Sequence, residues 1–333
     1  MSTTLLVVIV AVALAFDFTN GFHDTANYVA TWVGTRAITP RSAVAVSAAA
    51  NLAGAFVTTA VASTVGKGII DAHLATGQVI LAALIGAIAW NLVTWWLGLP
   101  SSSTHALIGG LVGAALVRSG SRGVLWHGLW EKVIVPAAVS PAIGFAGAFV
   151  LVVVIYRLFH RLTPGVANRG FRLGQLASGT WVAFTHGAND AQKTMAAIAL
   201  ALTIHNGGDI EHFSIPTWVK VAAGLTIGAG TYVGGWRIVR TLGQRIYKMA
   251  PEHGFAAQVS AGTTLYLGTH FGFPISTTHV VSGSVMGAGA VRRLSAVRWG
   301  IAGNIVSAWL LTLPAAGLVA AALYYPVRWI FQG

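Results

Sequence analysis

Cysteine does not occur in the chain. That excludes a disulfide framework, a thiolate metal site and a cysteine nucleophile, without deciding the compartment. Charge is nearly as scarce. Asp, Glu, Lys and Arg make up 8% of the 333 residues, against about 25% in a soluble domain. A soluble protein of this size needs more polar surface than that, so the chain is a polytopic membrane protein with the lipid bilayer as partner. The mean hydropathy of +0.72 agrees. No basic stretch precedes the first apolar run and no clear cleavage site follows it, so TLLVVIVAVALAF reads as the first helix rather than a removed signal. The net charge of +12 does not point to nucleic acid, because the basic residues are spaced between apolar runs as they are in membrane loops.

Stretches free of charged residues cover 42–66, 72–117, 133–156, 221–236, 253–291 and 299–327. One span needs roughly 20 residues. The runs of 46 and 39 residues must therefore fold back or cross twice. Arg157, Arg161, Arg169 and Arg172 place the segment around 157–172 in the cytoplasm as a loop. Counting outward puts 205–216, with Asp209 and Glu211, outside. The loop with Arg237, Arg240, Arg245 and Lys248 falls inside, as do 292–298 and the pair Arg36 and Arg41. Residues 118–132 and both termini come out external, with Arg118 and Arg122 against the rule.

The chain repeats itself. FTNGFHD at 18–24 matches FTHGAND at 184–190, and GLPSSSTH at 98–105 matches GFPISTTH at 272–279, in the same order. Each half has an odd number of crossings on this count, so the halves, 1–165 and 166–333, are inverted in the membrane. Such repeats are typical of secondary transporters, with the substrate near the midplane. Twelve residues separate His105 from Arg118, and twelve separate His279 from Arg292. Twelve helical residues span ~18 Å, and the middle of the hydrocarbon core lies ~15 Å down. The expected fold is all-α, with two inverted-topology repeats, broken helices and two re-entrant helical hairpins at 78–117 and 255–291 whose tips meet.

Each tip is a proline followed by hydroxyl residues and then a helix. Proline suits the first turn and Ser or Thr the cap. A helix start also offers unpaired N–H groups to an anion. Ser102, Ser103 and Thr104 with Ser276, Thr277 and Thr278 are therefore candidates for holding a tetrahedral oxyanion, where plain capping is the alternative. Of eight acidic residues, Asp17, Asp24 and Asp190 lie in membrane segments. Intramembrane carboxylates are functional by default. Asp24 and Asp190 occupy matching repeat positions and are assigned to cation coupling, with Asn20, His23, Asn27 and Asn189 around them. Asp17 aligns with Ala183 and reads as structural. Lys193 either contacts the anion or neutralises Asp190. Asn91 is expected to bond across helices. His105 and His279 close the hydroxyl motifs.

With these residues located, the chain resembles the inorganic phosphate transporter family, in particular its short bacterial members. The resemblance rests on NGFHDTAN at 20–27, HGANDAQK at 186–193, PSSSTH at 100–105 and PISTTH at 274–279, and extends over essentially the whole chain. It implies cation-coupled phosphate symport across the plasma membrane, usually by a homodimer. It carries phosphate contact onto Ser102, Ser103, Ser276 and Thr277, and cation coupling onto Asp24 and Asp190. Two positions depart from the family pattern. His23 stands where the second copy has Asn189, and Lys193 stands where the first copy has Asn27. Histidine titrates near neutrality and serves protons better than sodium, so H+ is expected over Na+. The resemblance to some bacterial relatives with these changes also implies phosphate taken as a neutral complex with a divalent metal. No other cofactor is expected. A sulfate permease is the rival within the family. An intramembrane hydrolase built on its Ser–His pairs and His23-Asp24 is the rival outside it; a duplicated catalytic set in antiparallel halves serves no hydrolytic mechanism, and the chain reads as no enzyme.

Overall fold

The computed structural model describes residues 1–209 and 214–331, so Glu211 lies outside the described residues. Helix α1, Thr3–Asp24, begins where the Ser2 hydroxyl accepts from the Leu5 N–H at 3.3 Å. It passes at Thr25 into α2, Ala26–Thr35, which ends at Arg36 in the left-handed region. Thr39 and Pro40, a cap followed by a first-turn proline, restart the chain as α3, Pro40–Gly54. After a break comes α4, Ala60–Lys67. Helix α5, Gly77–Leu97, turns at Gly98 (φ 67°) and returns as α6, Ser103–Ser119. Helix α7, Trp126–Leu129, runs through a π-turn into α8, Val135–Phe159. Helix α9, Pro164–Asn206, is followed by α10, Thr217–Val233, and the short α11, Trp236–Arg240. The second helix pair is α12, Pro251–His270, and α13, Thr277–Ala290, with α14, Trp299–Ile330, last.

Thr3–Thr35, Gly77–Leu97, Trp126–Phe159 and Trp299–Ile330 are long and apolar enough to cross a membrane. The two long charge-free runs do fold back, as α5–α6 and α12–α13. The segment expected to be a cytoplasmic loop is mostly helix. Helix α8 continues to Phe159 and α9 starts at Pro164, so Arg169 and Arg172 ride on helix. Thr163, held extended before the proline, makes the change of direction in few residues. Arg237, Arg240 and Arg245 likewise lie on α11 and the π-turn after it.

The elements interlock across the chain. Helix α1 packs on α10 and α9 packs on α3. The returning helix of the first pair, α6, lies against α14, and that of the second, α13, against α8. Both contacts are made by glycines one turn apart. A Cβ on Gly109 or Gly113 would sit 2.3 or 2.1 Å from the carbonyl oxygens of Leu313 and Gly317. At Gly283 and Gly287 it would sit 2.3 and 2.1 Å from those of Pro141 and Phe145. Lipid tails are as apolar as Leu, so helices in a membrane associate through such close backbone packing rather than through apolar burial.

Buried apolar residues form two clusters. Along α1 the first ends at Phe16, and along α2 the second begins at Ala26. On α9 the order is reversed, with Val182 and Ala183 in the second cluster and Ala191 onward in the first. The residues between, 17–25 and 184–190, form a polar layer sealed on both sides. Outward-facing Leu310, Leu318 and Trp329 are each more than 70% exposed, which suits a lipid-facing surface.

Gly113→Val and Gly287→Val should each lower the unfolding temperature of the detergent-solubilised protein, since overpacking costs about 1–3 kcal/mol. Gly170→Ala, where a Cβ meets nothing within 4 Å, should leave it unchanged. A wild-type melting curve for both valine variants would show that these helix contacts yield freely.

Candidate functional site

The polar layer holds side chains from α1, α2, α9 and the two hairpin tips, all of them buried. Their contacts come in matched pairs that cross the chain. Lys193 Nζ donates to Thr104 Oγ1 at the first tip. Asn27 Nδ2, its counterpart in the repeated motif, donates to Thr278 Oγ1 at the second tip at 3.0 Å. Asn20 Nδ2 donates to Asp190 Oδ2 at 3.1 Å. Its counterpart His186 places Nε2 3.6 Å from Asp24 Oδ2. Within each half, His23 reaches Thr94 and Ser101 of the first hairpin at 3.1 and 3.3 Å. Asn189 reaches Thr269 Oγ1 at 2.9 Å and the Phe273 carbonyl at 3.3 Å in the second.

Both acids have a basic neighbour. Asp24 Oδ1 lies 2.7 Å from His23 Nδ1, and Asp190 Oδ1 lies 2.7 Å from Lys193 Nζ. Lys193 sits against Asp190, one of the two partners expected of it, and also reaches Thr104 at the first hydroxyl tip. The facing oxygens of Asp24 and Asp190, with His186 Nε2, lie within 4.8 Å of one another, a spacing that accommodates one cation.

The hydroxyls at the tips divide by task. Ser102 Oγ and Ser276 Oγ cap α6 and α13, each accepting from the N–H three residues on, His105 or His279, at 3.2 Å. Thr104 and Thr278 are taken by Lys193 and Asn27. Ser103 Oγ and Thr277 Oγ1 are buried and make no hydrogen bond among the described residues. Buried polar atoms are almost always partnered, so these two hydroxyls, at the starts of two helices, are available to a ligand. The tips meet at His105 and His279, whose rings pack edge to face 4.7 Å apart.

Asn91 is buried with neither amide atom hydrogen-bonded, so the expected bond across helices is not made; Thr94, one turn on, turns its hydroxyl to the Asn91 carbonyl instead. Asp17 is fully buried, with the Thr194 side chain beside it. His186 was not singled out in the sequence, although it matches Asn20 in the repeated motif. Asn51 and Thr94 also went unmarked, because each lies outside the repeated motifs, as did Ser101, whose counterpart in the second motif is Ile275.

Ser101, His23 and Asp24 stand in the order of a hydrolase triad, but the nearer hydroxyl to His23 is Thr94 and all four side chains are sealed from solvent. The Ser103–His105 pairing is not made, since the His105 ring packs on His279. Broken helices and paired tips enclosing a dry polar layer define a membrane carrier.

The family model described as the phosphate transporter family matches residues 20–167 and 162–320. The chain belongs to that family, and is a transporter rather than an enzyme. A "probable low-affinity inorganic phosphate transporter" of Mycobacterium bovis is 49% identical over 98% of this chain and 78% of its own. Proteins with the same description from Rhizobium meliloti and Bacillus subtilis are 49% and 42% identical, over 96% and 98% of both chains. A solved structure, the sodium-dependent phosphate transporter, superposes with a TM-score of 0.92 at 28% identity and covers 99% of this chain and all of its own.

Breaking a buried ion pair by removing one partner costs ~3–5 kcal/mol. Lys193→Gln should therefore lower the unfolding temperature markedly, and adding Asp190→Asn should restore most of the loss. A double variant no more stable than Lys193→Gln alone would show that Lys193 answers to Thr104 rather than to Asp190.

Proposed function

We propose that this chain imports inorganic phosphate across the plasma membrane by cation-coupled symport, and that the coupling ion is H+. The observation that carries the substrate reading is the pair of free hydroxyls, Ser103 and Thr277, each at the start of a helix whose N–H groups favour an anion. Ser102, Thr104, Ser276 and Thr278 stand beside them at the two tips, and Lys193 adds a positive charge beside Thr104. The relatives' descriptions favour phosphate over sulfate. In this reading 1–165 and 166–333 are inverted repeats, both termini are external, and the working unit is a homodimer.

Asp24 and Asp190 carry the coupling ion, with Asn20 and His23 bonded to them and Asn27 and Asn189 bonded to the second hairpin beside them. His23 supports the proton. It bonds Asp24 through Nδ1 and reaches two hydroxyls through Nε2, so a group able to pass a proton stands against the acid. Sodium is the second reading. It is favoured by Asn189, whose Oδ1 makes no hydrogen bond among the described residues and lies next in sequence to Asp190, and by the sodium-dependent structural neighbour. Phosphate enters free or as a neutral complex with a divalent metal; a requirement for magnesium would mark the complex.

Labelled phosphate uptake into proteoliposomes should be driven by an inward pH gradient without sodium, and abolished in Asp24→Asn. Uptake that follows a sodium gradient and ignores pH would replace the proton with sodium. Ser103→Ala combined with Thr277→Ala should weaken phosphate binding by ~100-fold or more while the protein stays folded, since hydrogen bonds to a charged group are worth ~1.5–3 kcal/mol each. Unchanged affinity would leave these residues no part in holding the anion.

A further inference from the structure

We propose that His186 is the third member of the coupling-cation site beside Asp24 and Asp190, and that Asn51 is its positioning residue. The inference rests on the cation-symport reading above. It starts from the Asn51 amide, fully buried on α3. Asn51 Nδ2 lies 3.1 Å from the Ser47 carbonyl oxygen, 3.0 Å from Tyr28 Oη and 3.2 Å from Thr231 Oγ1. A carbonyl only accepts, so the atom facing Ser47 is the NH2 group. That leaves Asn51 Oδ1 facing His186 Nδ1 at 2.6 Å. Because Oδ1 also only accepts, the proton of a neutral His186 is on Nδ1.

The consequence falls on the other ring nitrogen. Nε2 of the neutral ring presents a lone pair, 3.6 Å from Asp24 Oδ2 and 3.6 Å from Asp190 Oδ2, with no hydrogen bond made. Three electron-rich atoms then face one space in a dry interior. They repel one another unless a positive charge sits among them, and a proton or a metal ion meets that demand equally. Asn20, the counterpart of His186, offers an N–H to Asp190 and so needs no cation. The halves therefore differ at this point, and the requirement for a cation resides on the His186 side.

The ring has little freedom to turn away. Tyr28 packs on it with ring centroids 5.3 Å apart. Helices α3 and α9 touch backbone to backbone here: a Cβ on Gly187 would meet the Asn51 carbonyl oxygen at 2.1 Å, and one on Gly54 the Phe184 carbonyl oxygen at 2.0 Å. Holding a ligand histidine by a bond to its far nitrogen is a recurrent way of fixing both its tautomer and its aim.

The test compares wild type, Asn51→Leu, Asn51→Asp and His186→Gln in proteoliposomes. Labelled phosphate uptake is measured against external pH without sodium, and against sodium at fixed pH. Asn51→Leu and His186→Gln should raise the cation concentration for half-maximal uptake about tenfold or more, as expected for losing one charge-assisted hydrogen bond. Asn51→Asp keeps the acceptor and should stay at or below the wild-type value. The phosphate concentration for half-maximal uptake, at saturating cation, should move less than about twofold, well under the ~1.4 kcal/mol that a tenfold change represents. The arm that responds, pH or sodium, identifies the cation. An unchanged cation requirement in both Asn51→Leu and His186→Gln overturns the proposal. So does a lower maximal rate with the cation requirement intact, which makes Asn51 a packing residue. Should either variant fail to fold, the other carries the same comparison. Wild-type uptake indifferent to both gradients would end the symport reading instead. The site is then judged by whether low pH or sodium raises the unfolding temperature of the purified wild type and not of His186→Gln.

Discussion

Two carboxylates face one another where the halves of the chain meet, inside a layer that no solvent reaches, and the rest of the structure answers to that fact. An isolated carboxylate in such a place is costly unless something positive or hydrogen-bonding meets it. Asp190 is met by Lys193 and Asn20, and Asp24 by His23. The apolar clusters on either side keep water out, so these partners cannot be replaced by solvent. In a low-dielectric interior the same interactions are stronger than in water. A carrier gains from this arrangement. Under the proposed symport, the protein with its cation loaded would be electrically easier to close than the protein without it.

Much of this was legible in the sequence, for particular reasons. Carboxylates are so rare in this chain that Asp24 and Asp190 stand out at once, and the repeated motif tied them together. Two charge-free runs too long for one span announced the helix pairs, and Pro-Ser-Thr strings gave the start of each returning helix to within a residue or two. Three things were not legible. The arginine-rich segment at 157–172 looked like a loop because charge density marks an interface and does not report whether the backbone there is coiled or helical. Asn91 was expected to find a partner because buried amides generally do, and the fold leaves it without one. His186 and Asn51 were missed because the contact between them spans 135 residues of sequence, and no local spacing encodes which helix faces which.

The glycine contacts show how the polar layer is kept in register. Gly109 and Gly113 bring α6 onto α14 at backbone distance, and Gly283 and Gly287 do the same for α13 on α8. Each hairpin tip therefore stands at a height fixed by carbonyl oxygens rather than by flexible side chains. The hydroxyls of Ser103 and Thr277 inherit that placement, and so does the edge-to-face meeting of His105 and His279.

The exchange of partners between the halves also sets an order of assembly. A chain is made from its N-terminus at ~5–20 residues per second, so α5 and α6 enter the membrane long before α14 exists to receive them. Helix α8 waits in the same way for α13. Neither half can complete its packing alone, and the first hairpin stays unlatched until the last helix of the chain arrives. Helix α14 is thus the clasp for α5 and α6, and its loss would leave a hairpin made much earlier, rather than its own neighbours in sequence, without its seat.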